Sequence, residues 1–139
     1  EGTRPILAEI QALVASSKLV MPRRVASGVD YNRLQLILAV LQKRLGLPLY
    51  ECDVYLNVAG GLKIDEPACD LAIALAIISS FKNKPLSRRL CAVGEIGLLG
   101  ELRRVGSLEK RIKEAKRLGY INIISSQQYS SIVEASKNI

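Results

Sequence analysis

The chain contains no histidine and no tryptophan among its 139 residues, and aromatic side chains make up only 4% of it. Without an imidazole, every mechanism that relies on a histidine base is excluded, and so are most zinc sites. Catalysis would have to use lysine, aspartate, glutamate, serine, cysteine or tyrosine. The scarcity of aromatic residues predicts a core built from leucine, isoleucine, valine and alanine.

Long apolar runs are missing as well. No stretch reaches the roughly 18 residues that a membrane span needs, and no signal peptide opens the chain. We therefore expect a cytoplasmic protein without a membrane partner. Because the sequence begins at Glu1 rather than at a methionine, we also expect it to be part of a longer protein.

The three cysteines, Cys52, Cys69 and Cys91, are odd in number and lack the spacing of metal ligands. Each of them lies in an apolar segment. We therefore expect reduced thiols in the core, with no metal site, rather than a redox centre.

The positive charge is concentrated in one third of the chain. Between Lys82 and Gly119, eleven lysine and arginine residues stand against four glutamates, whereas the remaining residues carry nine charges of each sign. The whole net charge of +7 therefore lies in this segment. Such a concentration favours a surface that faces a polyanion. A basic, solvated outer face without a partner accounts for it equally well.

Extended and helical patterns alternate along the chain, which predicts an α/β or α+β fold in a single domain over residues 1–139. The predicted strands cover residues 5–14, 23–29, 51–58, 90–93, 101–105 and 121–125. A glycine-bearing loop, residues 94–100, is expected to join the fourth strand to the fifth.

Four helices are predicted between these strands. Asp30 is a good N-cap for the first helix, and Gly46 marks its end. In the second, Asp65 or Glu66 is the expected cap, Pro67 lies in the first turn, and the apolar run 71–78 predicts the buried central helix. The third is expected to be capped by Ser107 and ended by Gly119, and a weak final helix follows Gln127. Asp70, the one charge near the central helix, is expected either to be exposed in the first turn or to be paired there.

The stretch KIDEPACD, residues 63–70, has the layout of an active-site turn. It follows a glycine pair and leads into a helix, and the unpaired N–H groups of a helix start bind oxyanions. Catalysis would also need a nucleophile in the turn and a base within reach, but Ala68 offers no attacking atom. The neighbouring Cys69 is rotated by about 100° along the helix, toward the core.

The segments GGLKIDEPACDLAIALAI and AVGEIGLLGELRRVGSLEKRIKEAKRLG resemble the proteolytic domain of Lon-type Ser–Lys proteases. That resemblance implies a mixed sheet packed with helices, as in the Lon proteolytic domain and the second domain of ribosomal protein S5. In the family's register, the nucleophilic serine falls on Ala68 and the general-base lysine falls on Arg111. Alanine has no attacking oxygen, and arginine stays charged at any working pH. The resemblance therefore implies a site without catalytic residues, although a slip of one position would bring Lys110 to the place of the base.

The same motifs, together with EGTRPILAEIQALV and MPRRVASGVDYNRLQLILAVLQKRLG, look like the C-terminal Lon-like domain of the RadA (Sms) family of bacterial DNA-repair proteins. The resemblance covers nearly the whole chain. In that family a zinc finger and a RecA-like ATPase core precede this domain, and this sequence contains neither a Walker A motif nor a cysteine-rich finger. The family resemblance implies a ring-forming ATPase, expected to be hexameric, that drives branch migration of recombination intermediates.

The resemblance also indicates what the chain would bind. No cofactor is expected in this domain, whereas ATP, Mg²⁺ and Zn²⁺ are implied for the missing parts of the longer protein. The expected partners are single-stranded or branched DNA, further copies of the chain and a RecA-type recombinase.

Seven basic residues are candidates for DNA contact, because phosphate binding requires clustered cations. They are Arg88, Arg89, Arg103, Arg104, Lys110, Lys113 and Arg117. Arg88 and Arg89 fit salt bridges between subunits equally well. Two other functions stay open: a working peptidase that uses Lys63, Lys110 or Cys69 in an unusual arrangement, and an oligomerisation domain whose charge serves only solubility.

Overall fold

The computed structural model describes residues 5–137 and residue 139, and strands alternate with helices along this part of the chain. In chain order the elements are β1 (Ile10–Ser16), β2 (Arg24–Ser27), α1 (Tyr31–Leu45), β3 (Cys52–Val58), α2 (Asp70–Lys82), β4 (Leu90–Val93), β5 (Glu95–Ile96), β6 (Leu102–Arg103), α3 (Leu108–Arg117), β7 (Asn122–Ser125) and α4 (Ile132–Ser136). The predicted mixed α/β fold is confirmed. Within the described residues, no helix is long and apolar enough to cross a bilayer.

The strands form three small sheets. The first has the order β1-β3-β2, with β1 antiparallel and β2 parallel to the central β3. The second pairs β4 with β7 in parallel, and the third is the antiparallel pair of β5 and β6. In β3, Cys52, Val54, Leu56 and Val58 are buried while the residues between them are half-buried or exposed. The first sheet therefore buries one face only, because successive side chains along a strand point to opposite faces.

Helix α1 begins and ends at the predicted residues. The Asp30 carboxylate accepts a hydrogen bond from the Arg33 N–H at 3.0 Å, and Gly46 adopts a left-handed φ of 68° at the C-cap. The apolar face of the helix, at positions 34, 37, 38 and 41, is buried. Both capping signals and the helical periodicity of the sequence were therefore correct.

Helix α2 is the centre of the fold, as its uniformly apolar sequence predicted. Its side chains Leu71, Ile73, Leu75, Ile77 and Ile78 are each no more than 2% exposed. The helix contacts β1, β4 and β5, and so one strand from each of the three sheets. Burying a leucine or isoleucine side chain contributes about 1.5–3 kcal/mol, so α2 holds the three sheets together.

Asp70, the first residue of α2, is buried and paired. Its carboxylate is 0% exposed, accepts a hydrogen bond from Arg33 Nε at 2.8 Å, and also binds Arg33 Nη2. The backbone N–H of Ile96 donates a further hydrogen bond at 3.0 Å. The hydrogen bond with Asp70 raises the pKa of Arg33, while burial opposes the rise. Asp70 therefore joins α1, α2 and β5, and of the two alternatives the paired one is confirmed.

Two predicted element starts were wrong. The first strand begins at Ile10 rather than at residue 5, and the opening residues 1–4 of the resembling segment lie outside the described part of the chain. The predicted start of the second helix is a 3-10 turn, Pro67–Cys69, and α2 proper begins at Asp70. No side chain caps either start. Glu66 instead binds Arg111.

The region around the third helix also differs from its prediction. The expected loop 94–100 contains β5, which forms a tight hairpin with β6, and β6 covers two residues instead of five. Ser107 lies at the N-cap position of α3 but has a left-handed φ of 57°, and its hydroxyl makes no capping bond. In that conformation the hydroxyl does not face the first N–H groups of the helix. The predicted N-cap position is therefore correct, but the predicted capping hydrogen bond is not formed.

We expect Arg33→Ala to lower the free energy of unfolding by about 3 kcal/mol, because it leaves a buried carboxylate without its cation. Urea denaturation would measure the change. Arg104→Ala is the matched control: Arg104 also binds a carboxylate, on Glu109, but both side chains are more than half exposed, and such pairs contribute less than about 1 kcal/mol. Equal effects of the two substitutions would contradict the structural role of Asp70.

Candidate functional site

An open groove of about 780 Å³ lies over α2, between the first sheet and the second. Ala72, Leu75 and Ala76 of α2 form its floor. Residues 5–10 and 62–66 form one wall, and β4 with part of α3 forms the other. The turn that contains Ala68 lies in this groove, as does Arg111.

The wall segment 62–66 is held in place by a close backbone approach at Gly28. The Ile64 N–H donates to the Gly28 carbonyl at 2.7 Å. Gly28 has a φ of +89°, and a Cβ there would lie 2.4 Å from the Leu62 carbonyl oxygen and 2.8 Å from Val58. Only glycine fits such a position. The end of β3 and the segment that follows it are therefore fixed against β2.

Ala68, where the resemblance to Lon-type proteases predicts the nucleophile, is 6% exposed. Its methyl group packs with Val93 and Leu108, and its carbonyl accepts the Gly94 N–H at 2.9 Å. The backbone geometry of the turn is thus fixed by β4, but the side chain has no atom that could attack a carbonyl group.

Arg111 faces the same groove, and two of its donors are already in use. Arg111 Nη2 donates to Glu66 Oε1 at 2.7 Å, and Arg111 Nε donates to the Gly106 carbonyl at 2.9 Å. A guanidinium does not lose its proton at working pH, so it cannot act as a base. Lys110 does not contribute to the groove lining as far as the chain is described, so the one-residue slip would not bring a lysine into the groove.

The cysteines are free thiols, and Cys52 is buried while Cys69 and Cys91 are half-buried. Burial raises the pKa of the Cys69 thiol to about 11, and the charges of Glu66 and Asp70 add to the rise. Burial also raises the pKa of Cys91. A thiol near a helix start is reactive only where its pKa is lowered. Cys69 is therefore protonated at neutral pH and is not an activated nucleophile.

All seven candidate DNA-contact residues are exposed, but three of them bind carboxylates. Arg103 binds Glu101 at 3.1 Å and Arg117 binds Glu114 at 2.7 Å. Arg104 binds Glu109, and the Arg104 hydrogen bond is the largest cause of a lowered pKa for Glu109. Arg89 donates to the Gly119 carbonyl at 2.8 Å. Much of the positive charge of this segment is therefore matched locally.

Lys110 and Lys113 differ from Arg103, Arg104 and Arg117. Both are exposed, and within the described part of the chain neither lies within ion-pairing distance of a carboxylate. They lie three residues apart on α3, with Arg117 four residues further on. At 3.6 residues per turn this places them opposite the buried Leu108 and Ala115. Lys110, Lys113 and Arg117 therefore form a one-sided row of cations on α3.

The seven residues do not lie on one surface. Arg88 lines the groove, while Arg103 lines a separate cavity of about 260 Å³ together with Arg33 and Glu95. Sequence reasoning did not identify Glu66 or Glu114 as groove residues. Glu66 could have been suspected from its place beside Pro67, whereas nothing in the sequence of α3 distinguishes Glu114 from the other charges of that helix.

Among the described residues, no group of three or more cysteine, aspartate or glutamate side chains is placed to hold a metal ion. At Ala68 and Arg111, the two positions where the Lon resemblance predicts a dyad, the groove has neither an attacking atom nor a base for hydrolysis.

We expect the rate at which Cys69 reacts with iodoacetamide to reach half its maximum only near pH 11. The pKa of this thiol is raised to about 11, and only the thiolate attacks. Mass spectrometry of the peptide that contains Cys69 would follow the reaction from pH 7 to pH 11. The same measurement on the chain unfolded in urea is the control and should show half-maximal reaction near the free thiol value of about 8.5. A folded protein that reacts as fast as the unfolded one would contradict the protected state of this thiol.

Comparison with known proteins agrees with the family resemblance of the sequence. Residues 31–129 match the family model described as subunit ChlI of Mg-chelatase. Proteins named DNA repair protein RadA are 55% identical over 89% of this chain in Bacillus subtilis and 56% identical over 88% of it in Streptococcus pneumoniae. The one from Streptococcus pyogenes is 50% identical over the whole chain.

The chain spans only 27–31% of the length of these relatives. The predicted resemblance to the RadA family is confirmed for this segment. The chain therefore belongs to the family described as subunit ChlI of Mg-chelatase, and it is homologous to a segment of the proteins named DNA repair protein RadA.

Proposed function

We propose that this chain is a catalytically inactive, Lon-like scaffold domain of a RadA-type DNA-repair ATPase, which assembles into a ring and contacts DNA. The observation that carries the proposal is the pair of exposed lysines, Lys110 and Lys113, on the outer face of α3. The relatives at 50–56% identity are named DNA repair proteins. The exposed lysines would therefore bind the phosphates of DNA.

The loss of hydrolytic chemistry is supported by the groove. Ala68 lacks a hydroxyl, and the Arg111 guanidinium is bound to Glu66 and to the Gly106 carbonyl. A Ser–Lys mechanism needs an attacking oxygen and a neutral amine, and these two positions supply neither. The rival function, a peptidase that uses Cys69, is opposed by the raised pKa of that thiol.

DNA contact is supported by a difference between two sets of cations: one set binds nearby carboxylates and the other does not. Arg103, Arg104 and Arg117 each bind a nearby carboxylate and would have to give up that partner to bind a phosphate. Lys110 and Lys113 would not, so we assign the principal contact to them and secondary contacts to Arg88, Arg89 and the three arginines. Phosphate contacts position a nucleic acid without reading its sequence, which suits a protein that acts on single-stranded or branched DNA.

The remaining parts of the proposal concern the longer protein. Since the chain spans less than a third of its relatives, we place an ATPase core with ATP and Mg²⁺, and a zinc finger, outside it. In that longer protein this domain would hold a ring, proposed to be a hexamer, while the ATPase drives branch migration together with a RecA-type recombinase. A ring without DNA contact is the alternative, and the experiment on Lys110 and Lys113 below distinguishes the two.

We expect the double variant Lys110→Ala/Lys113→Ala to bind single-stranded DNA more weakly than the parent at low salt. The slope of log K against log[salt] should become shallower by about 0.7 for each phosphate contact removed from a single strand, and so by about 1.4. Fluorescence anisotropy with a labelled oligonucleotide at several salt concentrations measures both quantities.

Lys43→Ala/Lys137→Ala is the matched control for that experiment, because it removes the same charge from exposed positions outside the basic segment. It should change the affinity little and leave the slope unchanged. Equal slopes for the parent and the Lys110→Ala/Lys113→Ala variant would remove α3 from the DNA contact.

We expect Ala68→Ser alone to leave the chain without peptidase activity, because Arg111 cannot accept the serine proton. Release of fragments from an unfolded protein substrate and labelling by a serine-reactive probe are the measurements. Ala68→Ser/Arg111→Lys restores both missing groups and is the comparison. Hydrolysis by the parent or by the single variant would show that another residue supplies the nucleophile or the base.

A further inference from the structure

The loop between β1 and β2, residues 17–23, carries Val20, the most exposed large apolar side chain of the described residues, and two further exposed apolar side chains beside it. Val20 is 101% exposed, Met21 is 82% exposed and Leu19 is 49% exposed. Three consecutive apolar side chains in water are unfavourable unless another surface covers them. We name residues 19–21 the tip.

The base of this loop is fixed by the sheet. The Ser17 N–H donates to the Glu51 carbonyl at 2.9 Å, and the Val54 N–H donates to the Arg23 carbonyl at 2.9 Å. The Asp53 carboxylate accepts the Arg23 N–H at 2.7 Å. Because both ends of the loop are held, the tip projects from a rigid base, and its ordering costs little on binding.

The groove over α2 is the concave counterpart. Its floor, at Ala72, Leu75 and Ala76, is apolar, and the wall segments 5–10 and 62–66 contribute Ile6 and Ile10. At about 780 Å³, the groove falls within the usual range of ligand sites, roughly 300–1,000 Å³. It therefore has room for a few apolar side chains.

The charges beside the two surfaces are complementary. Lys18 and Arg23 flank the tip and are exposed. The groove lining holds the carboxylates of Glu9, Asp65, Glu66 and Glu114 and the cations of Lys63, Arg88 and Arg111. Glu66 is already bound to Arg111. A tip that enters along the wall formed by residues 5–10 and 62–66 would bring its two cations to Glu9 and Asp65, which favours this pairing over others.

The tip and the groove lie at opposite ends of one sheet. β1 runs from Ile10, at the groove, to Ser16, at the loop, and β3 runs between the same two ends in the opposite direction. Six steps along a strand span about 20 Å at 3.4 Å per residue. The tip therefore cannot enter the groove of its own chain.

We propose that the tip of one copy inserts into the groove of the next, which joins copies head to tail. A contact between two different surfaces is heterologous and generates a ring when its rotation closes. The inference rests on the assembly part of the proposed function and names the surfaces that would perform it. In this role the groove serves as a socket for a neighbouring copy.

Sedimentation velocity over a range of concentrations tests the contact. We expect the parent chain to associate, and Val20→Asp to weaken association about tenfold or more, because a charge cannot enter an apolar floor without loss of hydration. Leu99→Asp is the matched control: Leu99 is 72% exposed in the turn between β5 and β6, and its replacement should leave association unchanged. Circular dichroism confirms that each variant is folded.

Two mixing experiments separate head-to-tail contact from a symmetric one. Val20→Asp keeps its groove, and Ala72→Trp, which fills the groove floor, keeps its tip. Neither should associate alone, but a mixture should give one-to-one dimers that grow no further. If Ala72→Trp does not fold, Lys18→Glu and Asp65→Lys replace it: each alone should weaken association, and the chain that carries both should regain the parental value.

The outcomes identify which proposal fails. A parent chain that stays monomeric at every concentration overturns the assembly part of the proposed function together with the tip contact, and leaves DNA contact to its own test. A parent that associates, with Val20→Asp associating equally well, overturns the tip contact alone. A mixture of Val20→Asp and Ala72→Trp that stays monomeric, while the parent associates, also overturns it.

Discussion

The Asp70 carboxylate has no access to water and begins the most apolar helix of the chain. A buried charge without partners is unstable, so the protein has to bring donors to it from elsewhere. Arg33 of α1 supplies two N–H groups and Ile96 of β5 supplies a third. Three elements therefore meet at one carboxylate. The hydrophobic burial of α2 is non-directional, and this contact gives it a defined orientation.

Polar groups of the groove stabilise the fold. The Ala68 carbonyl bonds to Gly94, and Arg111 joins the turn that contains Glu66 to the start of α3 through Gly106. At the two positions where a Ser–Lys dyad would transfer a proton, this chain has the methyl group of Ala68 and the ion pair between Arg111 and Glu66. Both groups stabilise the backbone of the groove, so the groove forms without catalytic residues at these two positions.

The cations of the basic segment are not equally available to a binding partner. Arginines of the basic segment bind glutamates of the same segment, and arginine suits such pairs because its planar fork holds a carboxylate in fixed geometry. The lysines on the outer face of α3 remain solvated. Two residue types that count equally in a net charge therefore have different surroundings in the folded protein.

Local patterns in the sequence were sufficient for α1 with both of its caps, for the burial of α2, for β3, β4 and β7, and for the absence of a nucleophile at Ala68. These features depend on neighbouring residues or on residue identity alone. The true start of α2, the hairpin of β5 and β6, and the partners of Asp70 and Arg111 depend on contacts between distant segments, such as Glu66 and Arg111, 45 residues apart. Periodicity and capping depend on residues within a few positions of one another, whereas ion pairs between elements form only after packing has brought the two elements together. The tertiary structure alone therefore decided which charges are paired and which are free to bind.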